Sequence, residues 1–355
     1  MPKTPKLEIH PVVGIGEVTP GADLAALITS AAPWLRDGDV LVVTSKIVSK
    51  AEGRLVELPP PGPERDRARA ELLAAETART VASRGQTQIV ATHHGFVMAA
   101  AGIDASNVDS SRVALLPKDP DASARALRDA LVERHGLRVA VIISDTMGRP
   151  WRNGLVDVAL GAAGIRPLRD HRGEVDPYGN PLYLTQMALV DELAAAAELV
   201  KGKRDQVPVA VIRGLAGVPE PDAPGVVAAL VRDAASDLFR LGTAEAHAAG
   251  LRAAATLPDA GGGAEAGVGG EVDLAAVRRA LDTVAPVVAS SFTLVAAGGA
   301  VEIAGTATDP ADPHALVRLG ADVHRLRAAL AAEGLGSALR PGEPGTVVLA
   351  VHPAG

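Results

Sequence analysis

The chain has 355 residues, enough for two domains on length alone, and a formal net charge of −7. Its 48% hydrophobic content supports a sizeable core, but aromatic residues are only 2% of the chain, so that core must be aliphatic. Basic residues are scattered rather than gathered into a stripe, which excludes a nucleic-acid surface of the usual electrostatic kind. The one local cluster, Arg65, Arg67 and Arg69, is interleaved with Glu64, Asp66 and Glu71 and reads as a solvated helix face. With no cysteine, disulfides, thiolate metal sites and a cysteine nucleophile are all excluded. Met1 to His10 lacks an apolar signal core, and no run of about 18 uncharged apolar residues occurs. The expectation is a soluble, cytoplasmic protein with no membrane partner.

Apolar positions at helical spacing (Leu24, Leu27, Ile28, Ala31, Leu35) predict a helix over 23–35. Val40-Leu41-Val42-Val43 reads as a short buried strand, running at once into the polar Thr44-Ser45-Lys46. Residues 64–83 read as a charged helix. Asp121 to His135 read as another, with Gly136 as its stop. Val139 to Ile143 is a second buried strand, again ending in polar residues, Ser144-Asp145-Thr146. A helix at about 188–201 leads to a third strand, Val207 to Ile212. Strand ends that release polar side chains are common ligand sites in α/β proteins. The pattern supports a mixed α/β domain over 1–248. A Gly- and Ala-rich linker is expected over 249–270. The remainder, 271–355, carries a helix (Leu274, Val277, Leu281), a strand (Phe292 to Val295), a helix (Val323 to Leu330) and a strand (Val347 to Val351), few elements for a core of its own.

Four polar clusters could carry chemistry. Gly14-Ile15-Gly16-Glu17-Val18 is a tight turn. Thr44 to Lys50 places two Ser-Lys pairs after a buried strand, where ammonium groups could balance phosphate charge. His93-His94 invites a metal reading, but neighbours on a strand point to opposite faces; beyond them Asp104 and Asn107 lie three apart on a turn. Asp145-Thr146 puts a carboxylate and a hydroxyl together at a strand end, oxygen donors that suit Mg²⁺ or Mn²⁺, with Arg149 and Arg152 following as a possible anion clamp. No Gly-x-x-x-x-Gly-Lys-Ser/Thr loop occurs, so a P-loop does not hold any nucleotide.

Taken together, Thr44–Arg54, His94–Asn107, Asp145–Gly154, Asp176-Pro177-Tyr178-Gly179, Leu199–Lys203, Pro208–Gly214 and Asp237-Leu238-Phe239 resemble, in order, the coenzyme F420-0:L-glutamate ligase family. The resemblance spans about residues 7–248 and looks most like the actinobacterial form, whose ligase domain is fused to a flavin-binding, nitroreductase-like domain. It implies an α+β ligase-type fold, a homodimer, and a GTP- and divalent-metal-dependent enzyme that adds L-glutamate to coenzyme F420-0. The ion would be Mg²⁺ or Mn²⁺, with room for K⁺ in addition. Carried over by position, Ile15, Gly16, Glu17, Val18, Ser45, Lys50 and Asn107 would contact nucleotide. Asp104 and Asp145 would hold the first metal and Thr146 the second. Gly16 stands where the family usually has proline. Lys203 stands where archaeal members have a Glu or Gln ligand, and a protonated lysine cannot ligate. No catalytic base is identified.

Residues 271–355 resemble the two ends of the nitroreductase-like domain without its middle: Asp273 to Phe292 at the start and Leu326 to Ser337 at the close. The basic cluster that would hold a flavin phosphate is reduced to Arg252, so the expectation is a chain without FMN. Two other readings stay open on the motifs. One is a metal-dependent nucleotide hydrolase. The other is a non-catalytic F420-binding paralogue, which would be expected to have lost its metal ligands.

Overall fold

The structure, a computed structural model, describes residues 6–106, 109–202, 205–220, 222–257, 272–297 and 300–353. The chain divides into two compact units, Met1–Ala244 and Glu245–Gly355.

The first unit opens with β1 (Glu8–Val12) and helix α1 (Leu24–Ala31), whose N-terminus is capped by Asp23 accepting the amide of Ala26 at 3.1 Å. Next come β2 (Val40–Thr44), the short helix α2 (Ser45–Ala51), β3 (Leu55–Glu57) and α3 (Pro63–Ala75). A three-stranded antiparallel sheet follows: β4 (Thr77–Arg84), β5 (Thr87–Thr92) and β6 (Val97–Ala99). Strand β7 (Arg112–Ala114), paired with β3, leads into α4 (Pro120–His135). Asp119 caps α4 by accepting the amide of Ala122 at 2.8 Å, and Gly136, at φ 68°, takes the left-handed conformation that ends it. The unit continues through β8 (Ala140–Arg149), β9 (Arg152–Ala163), the small pair β10 (Leu168–Asp170) and β11 (Gln186–Ala188), helix α5 (Leu189–Lys201), β12 (Val209–Arg213) and the short α6 (Val226–Leu230).

Five strands form the central sheet in the order β1-β12-β2-β8-β9, with only β2 and β8 parallel. Alternation along these strands feeds two cores, one on each face. Leu41, Val43, Val141, Ile143, Val209 and Val211 pack with Ile28, Leu127 and Leu131 on one face. Val40, Val42, Ile142, Ala210 and Ile212 pack with Val190, Leu193 and Ala197 of α5 on the other. Gly161 of β9 lies so close to the Pro120 carbonyl that any side chain there would collide with backbone, which fixes how α4 seats on the sheet. Asp121, in the first turn of α4, accepts the amides of Ala162, Val226 and Val227 and ties β9 to α6.

Two sequence expectations change. The charged helix expected over 64–83 ends at Ala75, and Thr77–Arg84 is a strand; α3 buries no residue, so it carries no apolar stripe to mark its end. The second buried strand does not end at Ser144 but runs to Arg149 and returns as β9. Arg149 and Arg152 therefore lie exposed at the hairpin turn that joins β8 to β9.

In the second unit, α7 (Thr243–Ala255) begins at the division, so the first residues of the expected linker are helical; Pro258–Gly270, the Gly-rich stretch, lies outside the described residues. Then follow α8 (Leu274–Val284), β13 (Ser291–Ala297), β14 (Ala300–Thr306), α9 (Pro313–Ala332), β15 (Leu335–Pro341) and β16 (Thr346–Pro353). The strands make one antiparallel sheet, β13-β14-β16-β15. It packs an apolar cluster of its own, including Val277, Ala280, Ile303, Leu326, Leu330 and Leu349. The sequence pattern missed β14, although Val301 and Ile303 alternate there with Glu302 and Ala304, and β15, where Gly336, Ser337 and Ala338 give no apolar run. Among the described residues no helix is long and apolar enough to cross a membrane.

Candidate active site

Ligand sites in open α/β sheets lie beyond the carboxyl ends of the parallel strands. Here the parallel pair is β2 and β8, with Thr44 opposite Ser144. A cavity of about 380 Å³ opens there. Its walls come from the loop Ile15–Val18, from Thr44 and α2, from Asp104, from Asp145 and Thr146 on β8, from Asp157 on β9, from Glu198 and Lys201 on α5, and from Gln206 to Pro208 before β12.

Lys46 and Lys50 are one helical turn apart, so both project from α2 on one face. Lys50 is buried, and its Nζ donates to Glu17 Oε1 at 2.6 Å, pinning the glycine turn over the helix. Lys46 Nζ lies 2.8 Å from Asp104 Oδ2 and donates to Ser106 Oγ at 2.7 Å. Asp104 is positioned by a backbone bridge to Ala114, and it accepts the Ser106 amide at 2.6 Å. Burial pushes the Asp104 carboxyl up, but the Lys46 hydrogen bond, the Ser106 amide and the Lys46 charge outweigh it and hold it below the ordinary carboxylate range.

On β8 the odd and even residues face opposite sides of the sheet. Asp145 continues the row of Val141 and Ile143, toward the α1 and α4 layer; Ser144 and Thr146 continue the row of Ile142, toward α5. Asp145 Oδ1 accepts the amide of Thr146 at 2.9 Å. Thr146 stands directly across from Asp157 on β9 and donates its hydroxyl proton to Asp157 Oδ1 at 2.7 Å. Asp157 Oδ2 accepts from Ser144 Oγ at 3.0 Å and from Lys201 Nζ at 2.8 Å, and Lys201 also donates to Ser144 Oγ at 2.9 Å. Both ends of this ion pair are only 3% exposed. Burial pushes the Asp157 carboxyl up, and the Lys201 charge together with hydrogen bonds from Lys201, Thr146 and Ser144 brings it below its usual range.

The structure thus gathers Ile15, Gly16, Glu17, Val18, Lys50, Asp104, Asp145 and Thr146 around one cavity. Ser45 is buried at the start of α2 and does not line it; Asn107 and Lys203 lie outside the described residues. His93 and His94 take no part. His93 Nε2 lies 3.0 Å from the Ala75 carbonyl, and His94 Nε2 lies 3.0 and 2.9 Å from those of Pro117 and Lys118. Sequence reading missed Asp157, Glu198 and Lys201. A lone acid inside the apolar run Leu155–Leu160 was a usable signal for the first, whereas a lysine in the last turn of a helix is ordinary dipole complement.

Among the described residues that line the cavity are five carboxylates (Glu17, Asp104, Asp145, Asp157, Glu198) and three ammonium groups (Lys46, Lys50, Lys201). Among the described residues no group of three or more His, Asp or Glu side chains could hold a metal ion alone. Mg²⁺-type ions in general keep several waters and bind through one or two carboxylates plus substrate phosphates.

A family model described as F420-0:Gamma-glutamyl ligase matches residues 13–214. The chain is 44% identical over 224 residues to the coenzyme F420:L-glutamate ligase of Methanothermobacter thermautotrophicus, covering 59% of this chain and 87% of that protein. It is 42% identical over 249 residues to the protein of the same name from Methanopyrus kandleri, covering 66% and 98%. With the Haloarcula marismortui protein of that name it shares 43% identity over 224 residues, covering 58% and 87%. The matched segment holds all the described residues that line the cavity.

Proposed function

The chain belongs to the F420-0:gamma-glutamyl ligase family and is a ligase, and from that premise we propose that it joins L-glutamate to coenzyme F420-0, consuming GTP with a divalent metal ion and passing through an acyl phosphate. One observation carries the reading: the turn at Ile15–Val18, Lys50, the carboxylates of Asp104 and Asp145 and the Thr146 hydroxyl line a single cavity at the carboxyl end of the parallel strand pair.

The chemistry explains why such a cavity is needed. A carboxylate does not condense with an amine near neutral pH, because hydroxide is a poor leaving group. In the proposed route the terminal carboxylate of F420-0 attacks the γ-phosphate of GTP and GDP departs. The glutamate amine then attacks the acyl carbon and phosphate leaves, giving the amide. Both steps bring anions together, and at about 4 Å two like unit charges repel by roughly 4 kcal/mol at an effective dielectric near 20. Lys46 and Lys50 place positive charge along one wall, and Lys46 keeps Asp104 ionised. Asp104, Asp145 and the Thr146 hydroxyl, all hard oxygen donors, would hold Mg²⁺ or Mn²⁺, with Glu198 and Gln206 offering further oxygens nearby. When bound, the ion supplies charge neutralisation and polarisation of phosphate oxygens.

The reading is tested by mass spectrometry of F420-0 incubated with the purified protein, GTP and Mn²⁺, with and without glutamate. A glutamyl mass increment that needs both GTP and glutamate is expected. Continued, multiple-turnover release of GDP without glutamate would instead mark a hydrolase, and neither product a binder. Within the same reading, Lys50→Ala is expected to weaken GTP binding by about 10- to 150-fold, the equivalent of the roughly 1.5–3 kcal/mol of a charge-assisted contact, without affecting F420-0 binding. Titration calorimetry with each ligand checks this, and unchanged GTP affinity would remove Lys50 from the nucleotide site.

A further inference from the structure

We propose that Glu198 docks the ammonium group of the amino-acid substrate on the α5 side of the cavity, across the sheet from the lysines of α2. The inference rests on the proposed ligase reading and deepens it. Helix α2 buries Ile47 and Val48 in the core on one face of the central sheet, and α5 buries Leu193 and Ala197 in the core on the other. The cavity opens where the parallel strands end, so one side is walled by α2 and the other by α5. On the α2 side Glu17 and Asp104 each have an ammonium of their own: Glu17 accepts from Lys50 at 2.6 Å, and Asp104 lies 2.8 Å from Lys46.

The α5 side is arranged otherwise. Glu198 and Lys201 are three residues apart and share a face of the helix. Lys201 donates to Asp157 Oδ2 at 2.8 Å and to Ser144 Oγ at 2.9 Å. Its Nζ stands 3.5 Å from Glu198 Oε2, beyond the roughly 2.7–2.9 Å of a charge-assisted hydrogen bond. Among the described residues no other group donates to the Glu198 side chain, which is 26% exposed. A carboxylate whose neighbouring cation is committed elsewhere attracts another. Lys201 selects the kind, since it repels a dication on Glu198 twice as strongly as a monocation at the same distance. An organic ammonium ion also brings N–H donors, and a carboxylate has about four lone-pair sites, enough to accept from it and from Lys201 together. The proposed reaction brings such an ion, the amino group of L-glutamate. Amine and nucleotide phosphates then enter from opposite faces of the sheet, which keeps the amine away from Lys46 and Lys50.

Glu198→Gln tests this, because it keeps the shape of the side chain and removes its charge. The KM for L-glutamate is expected to rise by about 10- to 150-fold, the range of a charge-assisted contact, with the KM for GTP unchanged. Glutarate keeps both carboxylates of L-glutamate and lacks its amino group. Its inhibition constant against L-glutamate is expected to be the same in parent and variant. Hydroxylamine is largely uncharged near neutral pH and needs no docking carboxylate. With F420-0, GTP and Mn²⁺ it should trap the acyl phosphate as a hydroxamate equally well in parent and variant. Mn²⁺ affinity in the presence of GDP, read from the paramagnetic resonance signal of free Mn²⁺, should also be unchanged. Should Glu198→Gln fail to fold, Glu198→Ala, a shorter side chain on a cavity wall, carries the same expectations. A parental KM for L-glutamate in the folded variant would overturn the docking role and leave the ligase reading standing. Weakened Mn²⁺ binding together with lost hydroxamate would overturn it too, by giving Glu198 to the metal ion. A parent that forms neither the glutamyl product nor the hydroxamate would overturn the ligase reading and the docking role with it.

Discussion

Asp145→Asn is expected to lower ligation by about a thousandfold, because metal polarisation is worth several kcal/mol and each 1.4 kcal/mol or so is tenfold in rate. The fold should survive. Asn matches Asp in size, and its amide oxygen can still accept the Thr146 amide that Asp145 Oδ1 accepts at 2.9 Å. What is lost is the negative charge at the cavity wall, on the sheet face toward α1 and α4. The measurement is steady-state glutamylation of F420-0 at ordinary Mg²⁺ or Mn²⁺, paired with a thermal melt. Parental turnover would remove Asp145 from the metal site. A collapsed melting temperature would instead assign it a structural role.

Lys201→Met is expected to destabilise the protein by about 3–5 kcal/mol, the usual cost of stranding one member of a buried ion pair. Met matches the lysine stem in length, so little packing is lost, and the damage falls on Asp157, 3% exposed and now without its counter-charge. The pH dependence separates this cause from a packing defect. In the parent, Asp157 titrates below its ordinary range. Its contribution to stability is therefore fully present above the unfolded value, about 3.9, and is lost as pH falls through the lower folded value. Without Lys201, burial dominates and the carboxyl protonates more readily in the folded state. The stability gap between parent and variant should narrow as the solution is acidified toward pH 4 and below. Urea melts over that range check it, and a gap independent of pH would assign the loss to packing.

Much of the first unit was legible in its sequence. Val40–Val43 and Val139–Ile143 are buried on both faces and so spell continuous apolar runs, and Gly136 marks the end of α4 where the structure ends it. The carboxylates Asp104 and Asp145 were visible because each follows or interrupts an apolar stretch with polar company. Other parts depend on partners distant in sequence. Residues 147–149 are a strand because β9 pairs with them, and nothing local requires it. Asp157 and Lys201 are 44 residues apart, and although an acid inside an apolar run is a signal, nothing local names the lysine as its partner. Thr77–Arg84 could be told from a continuing helix only by its β-branched Thr77, Thr80 and Val81, a weak signal beside the charged run before it.

The carboxylate of Asp121 has a consequence for the order in which the first unit assembles. Helix α6 spans five residues, too few to persist alone, since nucleating a first turn is unfavourable. Its opening amides, Val226 and Val227, are satisfied by an acid more than a hundred residues upstream, which also holds Ala162 of β9. That turn can therefore form only once α4 has docked on β9. It belongs to the cooperative unit of the sheet rather than to the loops around it, so its amide protons should exchange with solvent on the timescale of the β9 strand.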